Sequence, residues 1–186
     1  MSDIRISPLE PPFDEAVATS LHKMMPPNSP VEPLALFRVL VQHEDLASRM
    51  RPLSAGILAH GLLAPQHREL LILRTCARCG AEYEWGVHVT FFAKQVGLTE
   101  QQIHATVHGD SSFSGWSKEQ STLIRLVDAL HESADVDDDL WNTVNQIWST
   151  EQMIEILIIV GWYHAISYVA NVSRIPYEQW AERFPE

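Results

Sequence analysis

The sequence predicts an all-α fold, a helical bundle built as a single domain. Three observations carry this. No stretch alternates apolar and polar residues as a half-buried strand must. Three hydroxyl residues stand three positions before a glutamine, Thr99 with Gln102, Ser117 with Gln120 and Ser149 with Gln152, which is the spacing of a capping box. Apolar residues recur at helical intervals, as Leu36, Val39, Leu40 and Leu46 do. The chain has 186 residues, 46% of them hydrophobic, enough for one domain with a sizeable core.

Taken in order, a first helix is predicted over residues 13–23, inside a leader and crossing segment that occupies 1–32. Residues 24–33 carry four prolines and read as extended, because proline lacks the amide hydrogen and disfavours helix in the residue before it. The helical domain is assigned to 33–175. It opens with a helix over 33–50 and a short segment over 54–61 that ends on Gly61. Pro65 then suits the first turn of a helix over 65–79, and Gly80 permits a break. A helix over 82–96 is closed by Gly97. The three capping boxes launch helices over 99–108, 117–131 and 150–171, with a further short helix over 137–147. Residues 176–186 form a tail with Pro176, Trp180, Phe184 and Pro185, expected to pack against something, a neighbouring subunit included. The strings LTEQQIHATV and STEQMIEILIIV look alike, and two good helix starts explain that more simply than a repeat does.

A formal net charge of −11 opposes binding to nucleic acid and to anionic membranes. The polar, proline-bearing start does not resemble a secretory signal. The longest apolar stretch, residues 154–160, is too short to span a bilayer. Two cysteines make no disulfide framework, so a cytoplasmic location is expected.

The chemistry-bearing stretch is 65–103. Glu69 lies among Leu70, Ile72 and Leu73, so its carboxylate is expected to be buried and to require a partner. Glu84 and His88 are four residues apart on one helix face, flanked by Tyr83 and Trp85. A carboxylate beside an imidazole favours the charged ring and fixes its tautomer. A second carboxylate nearby completes equipment for general acid–base catalysis. An ordinary surface Glu–His pair with a separate structural glutamate satisfies the same residues.

The segments HRELLILR, GAEYEWGVHV and AKQVGLTEQQI resemble the carboxymuconolactone decarboxylase-like family, which includes the AhpD alkylhydroperoxidases. The resemblance is strong over 56–107 and weaker through WSKEQSTLIRLVDALHE and EILIIVGWYHAISYVAN. It implies an AhpD-like helical bundle, a homo-oligomer (trimer, hexamer or dimer) and a small-molecule substrate. In the peroxidase branch a glutamate on one helix serves two cysteines and two histidines on the next. Glu69 matches that glutamate, His88 the last histidine and Tyr83 the first. The cysteine positions fall on Ala81 and Glu84, so this chain resembles a branch without the usual redox pair.

Cys76 and Cys79 form another C-x-x-C upstream, near a predicted helix C-terminus, where the dipole opposes thiolate formation. A zinc site from Cys76, Cys79, His88 and a fourth ligand lacks a second paired set, so no metal or other cofactor is expected. His164 reads as a core residue. His104 with His108 reads as a solvated face, and Asp135, Asp137, Asp138 and Asp139 as charge at a helix start.

Three functions follow. The first is an enzyme, decarboxylase-like, in which Glu84 and His88 move protons on a small acid or carbonyl compound. Glu69 would orient His88, Tyr83 would donate a hydrogen bond, and Arg74 and Trp85 would contact the substrate. The second is a thiol peroxidase using Cys76 and Cys79. The third is a non-catalytic oligomeric binding protein.

Overall fold

The computed structural model describes residues 3–26 and 29–186. The start at residues 1–2 and the centre of the four-proline segment, residues 27–28, lie outside the described residues. Every regular element among the described residues is helical: α1 (Glu15–Met24), α2 (Ala35–Leu40), α3 (Glu44–Ala59), α4 (Pro65–Arg78), α5 (Glu82–His88), α6 (Glu100–His108), α7 (Lys118–Ser133), α8 (Asp138–Asn145) and α9 (Thr150–Ser173).

Local chemistry sets most of the boundaries. The Thr99 and Ser117 side chains accept from the Gln102 and Gln120 amides, and each glutamine side chain returns to the cap backbone. Ser149 and Gln152 make the same exchange. The likeness between the strings near 100 and 150 is therefore a shared capping device. Asp14 and Asp137 cap α1 and α8 through Val17 and Leu140. Gly80 and Gly97 take φ of +61° and +81°, the left-handed turn that ends a helix at low cost for glycine.

Three predicted segments differ. The helix expected over 33–50 stops at Leu40, and a single 3₁₀ turn, Val41–His43, redirects the chain into α3. The break expected near 50–54 is absent, because α3 runs through Pro52 to Ala59. The helix expected over 82–96 is α-helical only to His88 and continues as a π-helical turn, Val89–Ala93.

The described residues form two compact units. Their limits do not coincide with the expected 1–32, 33–175 and 176–186. One unit comprises Met1–Gly61 and Val169–Gln179. In it α1 packs on α2 and α3, Glu178 accepts from the Ala35 amide at 2.7 Å, and Arg38 donates to the Leu9 carbonyl at 2.9 Å.

The other unit comprises Leu62–Tyr168 and Trp180–Glu186 and is organised around α4. All eight residues from Glu69 to Cys76 are buried. This stretch has no solvated face, so its charged side chains need partners inside the protein, while the Thr75 hydroxyl is left without one. Arg74 finds its partners in Asp128 on α7, at 2.7 Å for each of two bonds, and in the carbonyls of Thr106 and Gly109. In this unit α9 buries Met153, Ile156, Ile159, Val160, Tyr163 and Ile166. The 154–160 run proves to be part of a 24-residue helix that is long and apolar enough, by length and composition, to cross a membrane. The buried side chains account for much of that apolarity. Ile154, Leu157, Ile158 and Tyr168 are exposed.

The C-terminal residues fold onto their own chain. Trp180 packs at a tilt against Phe91, Phe184 meets Trp85 edge-to-face, Arg183 pairs with Glu82 at 2.7 Å, and the Glu182 amide donates to Thr90. Gly86 permits this, since a Cβ there would collide with the Glu182 carbonyl. Gly86→Ala is expected to cost about 1–3 kcal/mol in chemical denaturation and to open the tail to carboxypeptidase. An unchanged midpoint and a protected tail would show that the contact is dispensable.

Candidate functional site

The site forms where α4, α5 and α9 meet in the second unit. Glu69 lies in the middle of α4 with no exposed surface. One of its oxygens accepts from Arg68 Nε at 3.0 Å, and the other faces His88 Nδ1 at 2.8 Å. On its far side His88 Nε2 meets the Tyr163 hydroxyl at 3.1 Å and Glu84 Oε1 at 3.5 Å. The rings of Phe92 and Tyr163 flank the imidazole at 5.2 and 5.1 Å between centroids.

The placement follows from helix geometry. Glu84 and His88 share a face of α5 through their i, i+4 spacing. Gly80 and Ala81 turn the chain so that α5 packs back on α4 and brings His88 to Glu69. The π turn begins directly after His88 and carries Phe92 against it. Such turns are frequent at functional sites.

Burial opposes charge on His88, but Glu69, by charge and hydrogen bond, and then Glu84 outweigh it and raise the imidazole to about 9. Burial likewise works against ionised Glu69, yet His88 and Arg68 hold its carboxyl below the ordinary value. Burial, with Glu84 and Glu69, pushes the Tyr163 phenol well above its usual range, so it stays protonated. With His88 an imidazolium, Nδ1–H donates to Glu69 and Nε2–H donates to Tyr163. Glu84 Oε2 is buried and makes no hydrogen bond. The site therefore sets the imidazole beside a carboxyl oxygen that has no hydrogen-bond partner, in a water-poor setting that strengthens electrostatic interactions.

Of the residues singled out in the sequence, the fold brings Glu69, Glu84 and His88 together. Tyr83 is buried on α5, but the phenol at His88 Nε2 belongs to Tyr163. Arg74 is engaged by Asp128 and two carbonyls, and the Trp85 indole donates to Thr106 at 3.0 Å beneath Phe184. Both hold the unit together. Cys76 is buried and Cys79 half-buried at the α4 C-terminus. Burial raises both thiols, and Glu84 adds to the effect at Cys76. Sequence reasoning missed Tyr163 and Arg68. The apolar spacing Ile156, Ile159, Val160 and Ile166 puts Tyr163 on the buried face of α9, where a hydroxyl needs a partner.

Residues 44–129 match the Carboxymuconolactone decarboxylase family. No curated protein matches the chain. Among solved structures, it resembles a protein of unknown function from Agrobacterium tumefaciens with a suggested role as the antioxidant defence protein AhpD. The TM-score is 0.67 at 20% identity, covering 75% of this chain and 95% of that one. It also resembles the debrominase Bmp8, with a TM-score of 0.74 at 14% identity over 97% of this chain and 95% of that one. A cysteine-to-alanine variant of Bmp8 bound to 2,3,4-tribromopyrrole gives a TM-score of 0.74 at 15% identity, over 96% and 94% of the two chains. At these identities the likeness shows the fold, which is the AhpD-like helical fold.

The raised His88 has a consequence for stability. Its folded value of about 9 exceeds the ordinary 6.5, so the charge contributes stability fully below about 6.5 and loses it as pH rises through about 9. The loss is on the order of 3 kcal/mol. Glu69 acts in the opposite sense, contributing above the ordinary 4.5 and losing its contribution as pH falls. Denaturation midpoints between pH 6 and 10 should fall for the wild type and stay nearly flat for His88→Gln.

Proposed function

We propose that this chain, whose residues 44–129 match the Carboxymuconolactone decarboxylase family and whose fold is AhpD-like, catalyses cysteine-free proton transfer on a small carboxylated or carbonyl-bearing molecule. The observation that carries this reading is the buried, unpartnered Glu84 Oε2 beside His88. A desolvated carboxylate with a free lone pair is a base without the competition of water.

Glu84 accepts the proton from carbon next to the substrate carbonyl. His88 and Tyr163 donate to the oxygen on which negative charge develops. If the leaving group is carbon dioxide, the same donors stabilise the enolate left behind. Glu69 touches no substrate; it positions His88 and keeps it charged. The four groups are nearly closed off from solvent, which limits the substrate to a small molecule admitted by movement around the site.

A thiol peroxidase using Cys76 and Cys79 is the competing reading. Against it stand the burial of Cys76, the raised thiols and the position of both at a helix C-terminus.

A panel of small keto acids and carboxylated lactones, followed by NMR for deuterium uptake and decarboxylation, tests the proposal. Glu84→Gln and His88→Gln should each lower turnover by about 10²–10⁴-fold, whereas Cys76→Ser leaves it within a few-fold. Turnover untouched by Glu84→Gln would overturn the assignment. Hydroperoxide consumption that disappears in Cys76→Ser would install the peroxidase reading.

A further inference from the structure

A second cluster of chemistry-bearing side chains lies apart from the four groups around His88. Cys79 caps the C-terminus of α4, His131 sits in the last turn of α7, and His164 lies on α9. The Cys79 thiol stands 3.9 Å from His131 Nδ1, and that nitrogen stands 3.1 Å from His164 Nε2. All three ligand atoms lie within 4.8 Å of one another, and all three residues are partly exposed. From these positions we infer that the protein binds one divalent ion of the zinc class through Cys79 Sγ, His131 Nδ1 and His164 Nε2, with a fourth coordination position left open.

The spacing fits the ion. Tetrahedral zinc with bonds of about 2.3 Å to sulfur and about 2.05 Å to nitrogen separates two nitrogens by about 3.3 Å, and sulfur from nitrogen by about 3.6 Å. The His131–His164 and Cys79–His131 distances lie within a few tenths of an ångström of these, and the remaining pair, Cys79 with His164, lies within 4.8 Å, so that a side-chain rotation bringing the sulfur inward by up to about 1.2 Å closes the set on the ion. The tautomer fits as well. His164 Nδ1–H donates to the Val160 carbonyl at 2.8 Å, which leaves the lone pair of the neutral ring on Nε2, facing the other two ligands. Metal-ligating histidines are held in this way by a carbonyl on the other nitrogen. Before the metal arrives, that lone pair accepts the His131 Nδ1 proton. On binding, the Cys79 thiol proton leaves to solvent and the His131 proton moves to Nε2, so thiolate and two neutral imidazoles supply the three bonds.

The surroundings favour a cation. The C-terminal ends of α4 and α7 both point their partial negative charge towards the cluster. The nearby Arg78 is neutralised by Glu132 at 3.0 Å and Asp128 at 3.5 Å. A cavity of about 450 Å³ adjoins the two imidazoles, bounded by Ser133, Leu157, Gly161 and Tyr168. It gives the fourth position room for water or an exchangeable anion. The expectation that this chain holds no metal rested on Cys76, Cys79 and His88; the fold separates those three in role and gathers Cys79 with two histidines from later helices.

Cobalt(II) substitution tests the site in the intact protein. One equivalent should bind per chain, giving a near-ultraviolet thiolate charge-transfer band and the visible bands of a tetrahedral ion. Azide should shift the visible bands by occupying the fourth position. Cys79→Ser should remove the thiolate band, and His131→Ala and His164→Ala should each weaken zinc binding at least about tenfold, while Cys76→Ser and His104→Ala leave it unchanged. Circular dichroism of the metal-free variants checks that each is folded. Absence of the thiolate band, or zinc affinity unchanged in both histidine variants, would overturn the site. Insensitivity of the cobalt spectrum to azide would overturn the open position. The metal readout does not depend on whether Glu84 and His88 turn over a substrate.

Discussion

The second unit depends on a carboxylate that water cannot reach. Glu69 is the fully buried acid of a helix packed on every side, so its charge persists only because Arg68 and His88 meet its two oxygens. The arrangement binds in both directions. Removing either cation would leave a buried charge without its counterpart, a change that costs about 3–5 kcal/mol in comparable settings. The same contact fixes the ring orientation of His88 and therefore decides which nitrogen faces Glu84 and Tyr163.

That asymmetry gives the two carboxylates different parts in the proposed chemistry. Glu69 has both oxygens occupied, so accepting a proton would weaken its pairing with Arg68 and His88. Glu84 has one oxygen in loose contact with His88 and the other with no hydrogen bond at all. A site with one satisfied and one unsatisfied carboxylate around a charged imidazole resembles the general division of labour between orienting and reacting acids.

What could be read from the sequence followed the range of each interaction. Capping boxes at Thr99, Ser117 and Ser149 involve atoms three residues apart, and they set helix starts that the structure reproduces. The proximity of Glu84 to His88 is equally local. The helix expected over 33–50 and the separate segment over 54–61 differ from the structure, because the break comes from a 3₁₀ turn at Val41–His43 and α3 then runs unbroken through Pro52. The π turn after His88 carries no distinct signal in VTFFA. Contacts that join distant helices were the least legible. Tyr163 lies 75 residues from His88, and His131 lies 52 from Cys79. His164 was assigned to the core from its apolar neighbours, yet it stands at the rim of the cavity beside His131.

The claim on which the rest stands is that Glu69 keeps His88 charged. Nitrogen-15 NMR of the histidine rings across pH 6–10 measures this directly, in the wild type and in Glu69→Gln. The account predicts that His88 carries a proton on both nitrogens at pH 7.5 and titrates near 9, and that Glu69→Gln lowers its titration by at least about one pH unit. A neutral His88 ring at pH 7.5 in the wild type, or a titration indifferent to Glu69→Gln, would contradict it.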